Sequence, residues 1–207
     1  MSFYEDRILP HIIDKACPMG QVMKLRSQVV PLARGTVLEV GMGSAINLEF
    51  YDPGRVTKVY GLEPSEGMRR KARTNLARAA VEVEWLDLPG ERIPLADNSV
   101  DTVLLTFTLC TIPDGPAALA QMKRVLRPGG ELIFLEHGES EHPRVRRWQH
   151  RLTPVWKPLA GGCHLNRNIA ELIRQAGFEI VELRNLYVSK APKIAGYLYL
   201  GRATKPA

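Results

Sequence analysis

Thr36-Val37-Leu38-Glu39-Val40-Gly41-Met42-Gly43-Ser44-Ala45, followed by Val59-Tyr60-Gly61-Leu62-Glu63, is the stretch that decides the fold. It reads as a hydrophobic strand, a glycine turn, a helix, a second strand and an acid at that strand's end. Gly41 and Gly43 permit positive φ and carry no Cβ, so a ligand can come close to the backbone where the first strand stops. Glu63 lies 20 residues beyond Gly43, where an α/β fold of this type places a carboxylate to grip two ribose hydroxyls. The glycine pair alone would be satisfied by a tight turn, but with the strand before it and the acid after it the parts predict a pocket for an adenosine-bearing cofactor.

Two departures from the dinucleotide fingerprint narrow the cofactor. Gly-x-Gly-x-x-Gly needs a glycine where this chain has Ile46, which disfavours NAD and an oxidoreductase reading. The second departure is Glu39, an acid inside an apolar strand. A carboxylate there is costly unless it is paired, and an amino acid moiety with an ammonium group, such as that of S-adenosylmethionine, is a fitting partner.

Glu39-Val40-Gly41-Met42-Gly43-Ser44 resembles the glycine motif of class I S-adenosylmethionine-dependent methyltransferases, with Ala45 standing where the family has a third glycine. Leu62-Glu63-Pro64-Ser65-Glu66-Gly67-Met68 is similar to their second motif. Ile93-Pro94-Leu95-Ala96-Asp97-Asn98-Ser99-Val100-Asp101 and Val125-Leu126-Arg127-Pro128-Gly129-Gly130-Glu131-Leu132 resemble the lead-ins to strands four and five in the quinone C-methyltransferase and small-molecule group. Toward the C-terminus, Phe134-Leu135-Glu136-His137, Pro154-Val155-Trp156-Lys157, Gly162-Cys163-His164-Leu165-Asn166-Arg167 and Ala195-Gly196-Tyr197 look like the membrane-associated alkyl-thiol methyltransferases of animals. No counterpart of their hydrophobic N-terminal anchor is read in these residues, so membrane residence is not expected.

The resemblance implies transfer of a methyl group from S-adenosylmethionine, yielding S-adenosylhomocysteine, to a small apolar acceptor. A thiol leads, with a quinone precursor or a phospholipid amine as rivals, and a non-catalytic cofactor-binding protein is the alternative from another class. Gly41, Met42, Gly43 and Ser44 are implied to hold the methionine portion with Glu39 nearby, and Glu63 the ribose. Pro64 and Met68 are implied to lie against the adenine, Asp87 and Leu88 at its edge, and Thr106 and Leu109 beside the sulfonium. Candidate proton-removing groups are His137, at the end of the fifth strand, and His164 in the Gly161-Gly162-Cys163-His164 loop. Each has a structural alternative, since a histidine after a buried strand is often only a hydrogen-bonded core residue. Tyr4 is a candidate for a lid over the cofactor.

Cys17, Cys110 and Cys163 are odd in number and share no close spacing, so they suggest neither a disulfide framework nor a metal site; packed thiols are expected. The net charge of +6 and pI near 9.4 raise a nucleic-acid reading, but no such module accompanies the cations, and a solvated helix face explains them. Arg147-Trp148 and Val155-Trp156-Lys157 mix cations with aromatics, which suits a peripheral membrane surface or an acidic partner. No apolar run is long enough to span a membrane, and the acidic start Met1-Ser2-Phe3-Tyr4-Glu5-Asp6 does not read as a signal peptide, so cytoplasmic residence is expected.

At 207 residues the chain has room for one domain. The expected plan is an N-terminal helical cap over 1–34, a cofactor half over 35–137, and acceptor-side helices with a terminal hairpin over 138–207. Periodicity predicts strands near 36–40, 57–62, 81–86, 100–107, 131–136, 179–186 and 194–203. Helices are expected before residue 34 and near 65–79, 114–126, 143–152 and 168–176, with Ser65, Asp114 and Asn168 as caps. The fold class is therefore α/β: a Rossmann-like, seven-stranded, mostly parallel sheet with helices on both faces and the last strand antiparallel. Trp148, Leu152, Val155, Trp156 and Leu159 are expected to roof an apolar acceptor pocket.

Overall fold

The computed structural model describes residues 20–189 and 191–206; the candidate lid residue Tyr4 and Cys17 lie outside them. The strands are β1 (Gly35–Val40), β2 (Val56–Leu62), β3 (Val83–Leu86), β4 (Val100–Thr106), β5 (Leu126–His137), β6 (Glu179–Tyr187) and β7 (Tyr197–Thr204). They form one sheet in the order β3-β2-β1-β4-β5-β7-β6. β1 pairs in parallel with β2 and β4, as do β2 with β3 and β4 with β5. β7 alone runs against its neighbours, antiparallel to both β5 and β6.

The central strands are apolar throughout because both of their faces are covered. Val37, Leu38, Val103, Leu104, Leu105, Ile133, Phe134 and Leu135 are fully buried. On one face they meet α3 (Gly115–Val125) through Ala118, Leu119 and Met122, and α5 (Ile169–Gln175) through Ile169 and Ile173. On the other they meet α1 (Gly20–Val29) through Leu25 and Val29, and Ala72 of α2 (Glu66–Leu76). Three expected caps form: Ser65 Oγ accepts from Met68 N at 3.3 Å, Asp114 Oδ1 from Ala117 N at 2.9 Å and Asn168 Oδ1 from Glu171 N at 3.1 Å.

Three elements depart from the sequence expectation. The glycine turn leads not into a full helix but into a five-residue 3₁₀ turn, Ile46–Phe50, because Ala45 is left-handed and Asn47 and Tyr51 are drawn inward. β5 starts earlier, since Leu126 pairs with Val100 before the Pro128-Gly129 corner, where Gly129 has φ +71°. Helix α4 (Pro143–Leu159) continues through Pro154 and Pro158, whose missing N–H groups leave the carbonyls four residues earlier without helical partners.

β7 is held so close to its neighbours that Gly201 admits no side chain. A Cβ there would collide with the Glu182 carbonyl and stand 3.0 Å from the Phe134 ring. Gly201→Ala is expected to lower stability by about 1–3 kcal/mol, read as a lower urea midpoint at unchanged slope. Beyond β7, Lys205 N donates to Gly130 O at 3.1 Å and Lys205 O accepts from Gly129 N at 3.0 Å, at the sheet end opposite the carboxyl ends of the parallel strands.

Candidate active site

Strand order reverses between β1 and β4, and ligands of open α/β sheets bind beyond the carboxyl ends of the strands at such a switch point. There Gly41 turns at φ +71° and Gly43 at φ +59°. Gly41 N and Met42 N donate to the Leu62 carbonyl at 2.8 and 3.1 Å, tying the turn to the tip of β2. Glu63 reaches back from that tip: Oε2 accepts from Gly43 N at 3.0 Å and Oε1 from Ser65 N at 2.8 Å. Burial raises its pKa, opposed by the Ser65 and Gly43 amides and by Arg69.

These residues fit an adenosine-bearing cofactor. Each Glu63 oxygen engages one amide and keeps a lone pair for a hydroxyl. Pro64 is exposed and Met68 half-buried, and the Met68 methyl lies 3.1 Å from where a Gly43 Cβ would stand. An acceptor carboxylate, an apolar flank and a turn without side chains are what a ribose and an adenine face require. Ser44 presents its backbone, with its carbonyl accepting from Asn75 Nδ2 at 2.8 Å.

The other residues expected at the cofactor stand in varied surroundings. A Cβ on Gly41 would collide with the Thr108 side chain, so that glycine makes room for Thr108. Met42 is buried with its sulfur over Gly61, leaving its backbone to the turn. Glu39 is 1% exposed, and the chain itself supplies its partners: Asn47 Nδ2 donates to Oε1 and the Tyr51 hydroxyl to Oε2, both at 2.7 Å. Thr106 Oγ1 belongs to the same network, accepting from Arg26 Nη1 at 2.9 Å and Asn47 Nδ2 at 3.0 Å. Burial raises the Glu39 pKa, against the Tyr51 and Asn47 hydrogen bonds and the Arg26 charge. Leu109 is fully buried in the core. Asp87 is largely exposed and paired with Arg69, which holds its pKa down, and Leu88 is exposed beside it.

The second half of the site gathers beyond β4 and β5. His137 is buried; its Nδ1 faces Cys163 Sγ at 3.6 Å, and its Nε2 is buried without a hydrogen-bond partner. Cys110 Sγ joins them, all three groups offering an atom within 4.8 Å of one another. Cys163 has its pKa lowered to about 4, chiefly because Cys110 donates to it, with His137 and Trp156 adding to the effect against burial. The cysteines, expected as separate packed thiols, are thus neighbours. Trp156 turns inward here, its buried indole N–H directed at Cys163. Trp148, Val155 and Leu159 stand 54%, 64% and 62% exposed on the outside of α4, so among the described residues they roof no pocket. His164 is partly exposed, its Nδ1 3.2 Å from the Cys110 carbonyl, and burial with Arg167 nearby lowers its pKa.

Sequence reasoning missed Arg26, Thr108, Glu136 and Arg167. Glu136 is fully buried and accepts from Thr108 N at 2.8 Å and Cys110 N at 3.2 Å; burial pushes its pKa up to about 7. Arg167 clamps the same loop, donating to the Leu109, Ile112 and Pro113 carbonyls. The acid inside the apolar run Phe134-Leu135-Glu136 is the signal that singled out Glu39, and it could have found Glu136.

Comparison with known proteins agrees with this geometry. The family described as "Methyltransferase domain" matches residues 38–134, the segment from β1 to β5. Thiol S-methyltransferase TMT1B of Rattus norvegicus is 36% identical over 152 residues, 72% of this chain and 62% of that protein. Thiol S-methyltransferase TMT1A of Homo sapiens is 31% identical over 176 residues, 81% of this chain and 71% of that protein. The chain therefore spans about six- to seven-tenths of the length of these relatives. A SAM-dependent methyltransferase from Methanosarcina mazei superposes with a TM-score of 0.64 at 22% identity, covering 83% of this chain and 92% of that one. With its seven-stranded sheet, its glycine turn bonded to the acid of β2 and these relatives, the chain belongs to the class I S-adenosylmethionine-dependent methyltransferase family.

Proposed function

We propose that the chain methylates a small apolar thiol. The observation that carries this reading is the likeness to the two thiol S-methyltransferases, which extends past the cofactor half. When bound, S-adenosylmethionine supplies an activated methyl group on a cationic sulfur. What remains for the protein is to align the acceptor, exclude water and take the acceptor's proton.

Glu63, Gly43 and Met68 bind and orient the nucleoside end. Thr108 lies against Gly41, and Cys110 follows two residues later, so the turn that positions the cofactor adjoins the loop that carries the cluster. A thiol has a reference pKa of about 8.5, and the acceptor loses its proton at the Cys110, His137 and Cys163 cluster. Trp156 bounds that space from α4.

The test is a panel of alkyl thiols, phenols, quinols and amines incubated with methyl-labelled cofactor, with mass spectrometry of the products. Thioether formation from alkyl thiols is expected. In His137→Ala, turnover at pH 7 should fall by about 100-fold, and the loss should shrink as pH rises past the thiol's own pKa. A loss independent of pH, or methyl transfer confined to oxygen or nitrogen acceptors, would overturn the reading.

A further inference from the structure

Two thiols and an imidazole converge at the carboxyl ends of β4 and β5 from three separate parts of the chain. Their ligand atoms lie within 4.8 Å of one another. The 3.6 Å between Cys163 Sγ and His137 Nδ1 matches the separation of about 3.6 Å that zinc–sulfur and zinc–nitrogen bonds subtend at a tetrahedral ion.

The positions are fixed by the loops that hold them. Cys110 has its amide on Glu136 at 3.2 Å and its carbonyl on His164 N at 2.8 Å, while Arg167 ties the carbonyls on either side. Cys163 follows two left-handed glycines, Gly161 and Gly162, that end α4, and its amide donates to Ala160 O at 3.1 Å. Two thiolates and a neutral imidazole around a divalent cation sum to no net charge, which suits a buried site. Three protein ligands leave one tetrahedral position open, as in catalytic rather than structural zinc sites.

We propose that Cys110, His137 and Cys163 bind a Zn²⁺ ion whose open fourth position takes the sulfur of the acceptor thiol. The second half of this inference rests on the thiol reading above; the metal site does not. Binding the ion displaces to solvent whatever proton the cysteine pair still shares, and the acceptor gives up its own proton to solvent on ligation. The new carbon–sulfur bond then forms at that thiolate as the bond from the methyl group to the cofactor sulfur breaks. The product thioether, a poorer ligand for zinc, leaves.

The experiment uses the full chain, reduced with a phosphine, stripped with a chelator and titrated with Co²⁺ as a spectroscopic stand-in. About one equivalent should bind, giving sulfur-to-cobalt charge-transfer absorption that Zn²⁺ abolishes and that shifts when an alkyl thiol is added without cofactor. Cys110→Ser, Cys163→Ser and His137→Gln, checked for folding by circular dichroism, should each bind Zn²⁺ at least about 100-fold more weakly. Cys17→Ser should leave the absorption intact. No charge-transfer band from the folded protein, or a band that survives loss of Cys163 or His137, overturns the site. A band unmoved by a thiol that the enzyme methylates overturns the fourth-position role. A band with no thiol methylated keeps the metal site and sinks the thiol acceptor.

Discussion

Glu63→Ala is expected to weaken binding of S-adenosylhomocysteine by about 100-fold or more, measured by titration calorimetry. Two hydroxyls donating to an ionised carboxylate contribute about 1.5–3 kcal/mol each, and the alanine removes both. It also strips the acceptor from Gly43 N and Ser65 N, so the glycine turn loses its tie to the tip of β2. Glu63→Gln separates these effects: its one carbonyl oxygen still accepts while its amide nitrogen does not, and an intermediate loss is expected. The raised pKa adds a sign to check. Because burial lifts Glu63 above the ordinary carboxylate range, it takes up a proton earlier on acidification than a free glutamate. A protonated carboxyl cannot accept from an amide and a hydroxyl at both oxygens, so cofactor affinity should fall as pH drops, and Glu63→Gln should flatten that dependence. Unchanged heat with Glu63→Ala would move the ribose away from β2 altogether.

Glu39→Leu should unfold the chain more easily by about 3–5 kcal/mol, the range for removing one partner of a buried charged network. The Tyr51 hydroxyl and Asn47 amide lose their acceptor, and the Arg26 guanidinium, 3% exposed with its Nε already unpaired, loses its counter-charge. For a chain of this size the melting temperature should drop by roughly 6–20 °C at about 2–4 °C per kcal/mol. Replacing Arg26, Glu39 and Asn47 together with apolar residues of similar volume should recover part of the loss, since such triads rarely exceed a well-packed apolar set. A variant with wild-type stability but no cofactor affinity would instead return Glu39 to the ligand.

These two acids show what the sequence could and could not disclose. Both were legible as features: one at a strand end a fixed distance past a glycine turn, the other inside an apolar run. Position along a strand carries direction, so Glu63 was readable as facing the mouth of the sheet. Partners do not follow from position. Tyr51 and Asn47 reach Glu39 only because the segment after the glycine turn tightens into a 3₁₀ turn, which no hydrophobic period announces.

The strands were legible because a sheet covered on both faces demands unbroken apolar runs. The far half of the site was not. Cys110 and Cys163 are 53 residues apart in sequence, and metal-ligand patterns reveal themselves only when ligands share one turn or hairpin. Here the loop after β4, the end of β5 and the loop after α4 each contribute one group, and only the sheet order makes them neighbours. In the same way α4 was expected only over 143–152, since proline usually stops a helix; its extension through Pro154 carries Trp156 inward.

The departure of the backbone after β7 has a practical consequence. Lys205 is stitched to Gly129 and Gly130, on the rim opposite the one that bears Gly43, Glu63 and His137. A biotin acceptor peptide appended downstream would therefore anchor the molecule to a sensor chip with its mouth facing the flowing solution, so small molecules could reach it without hindrance from the support.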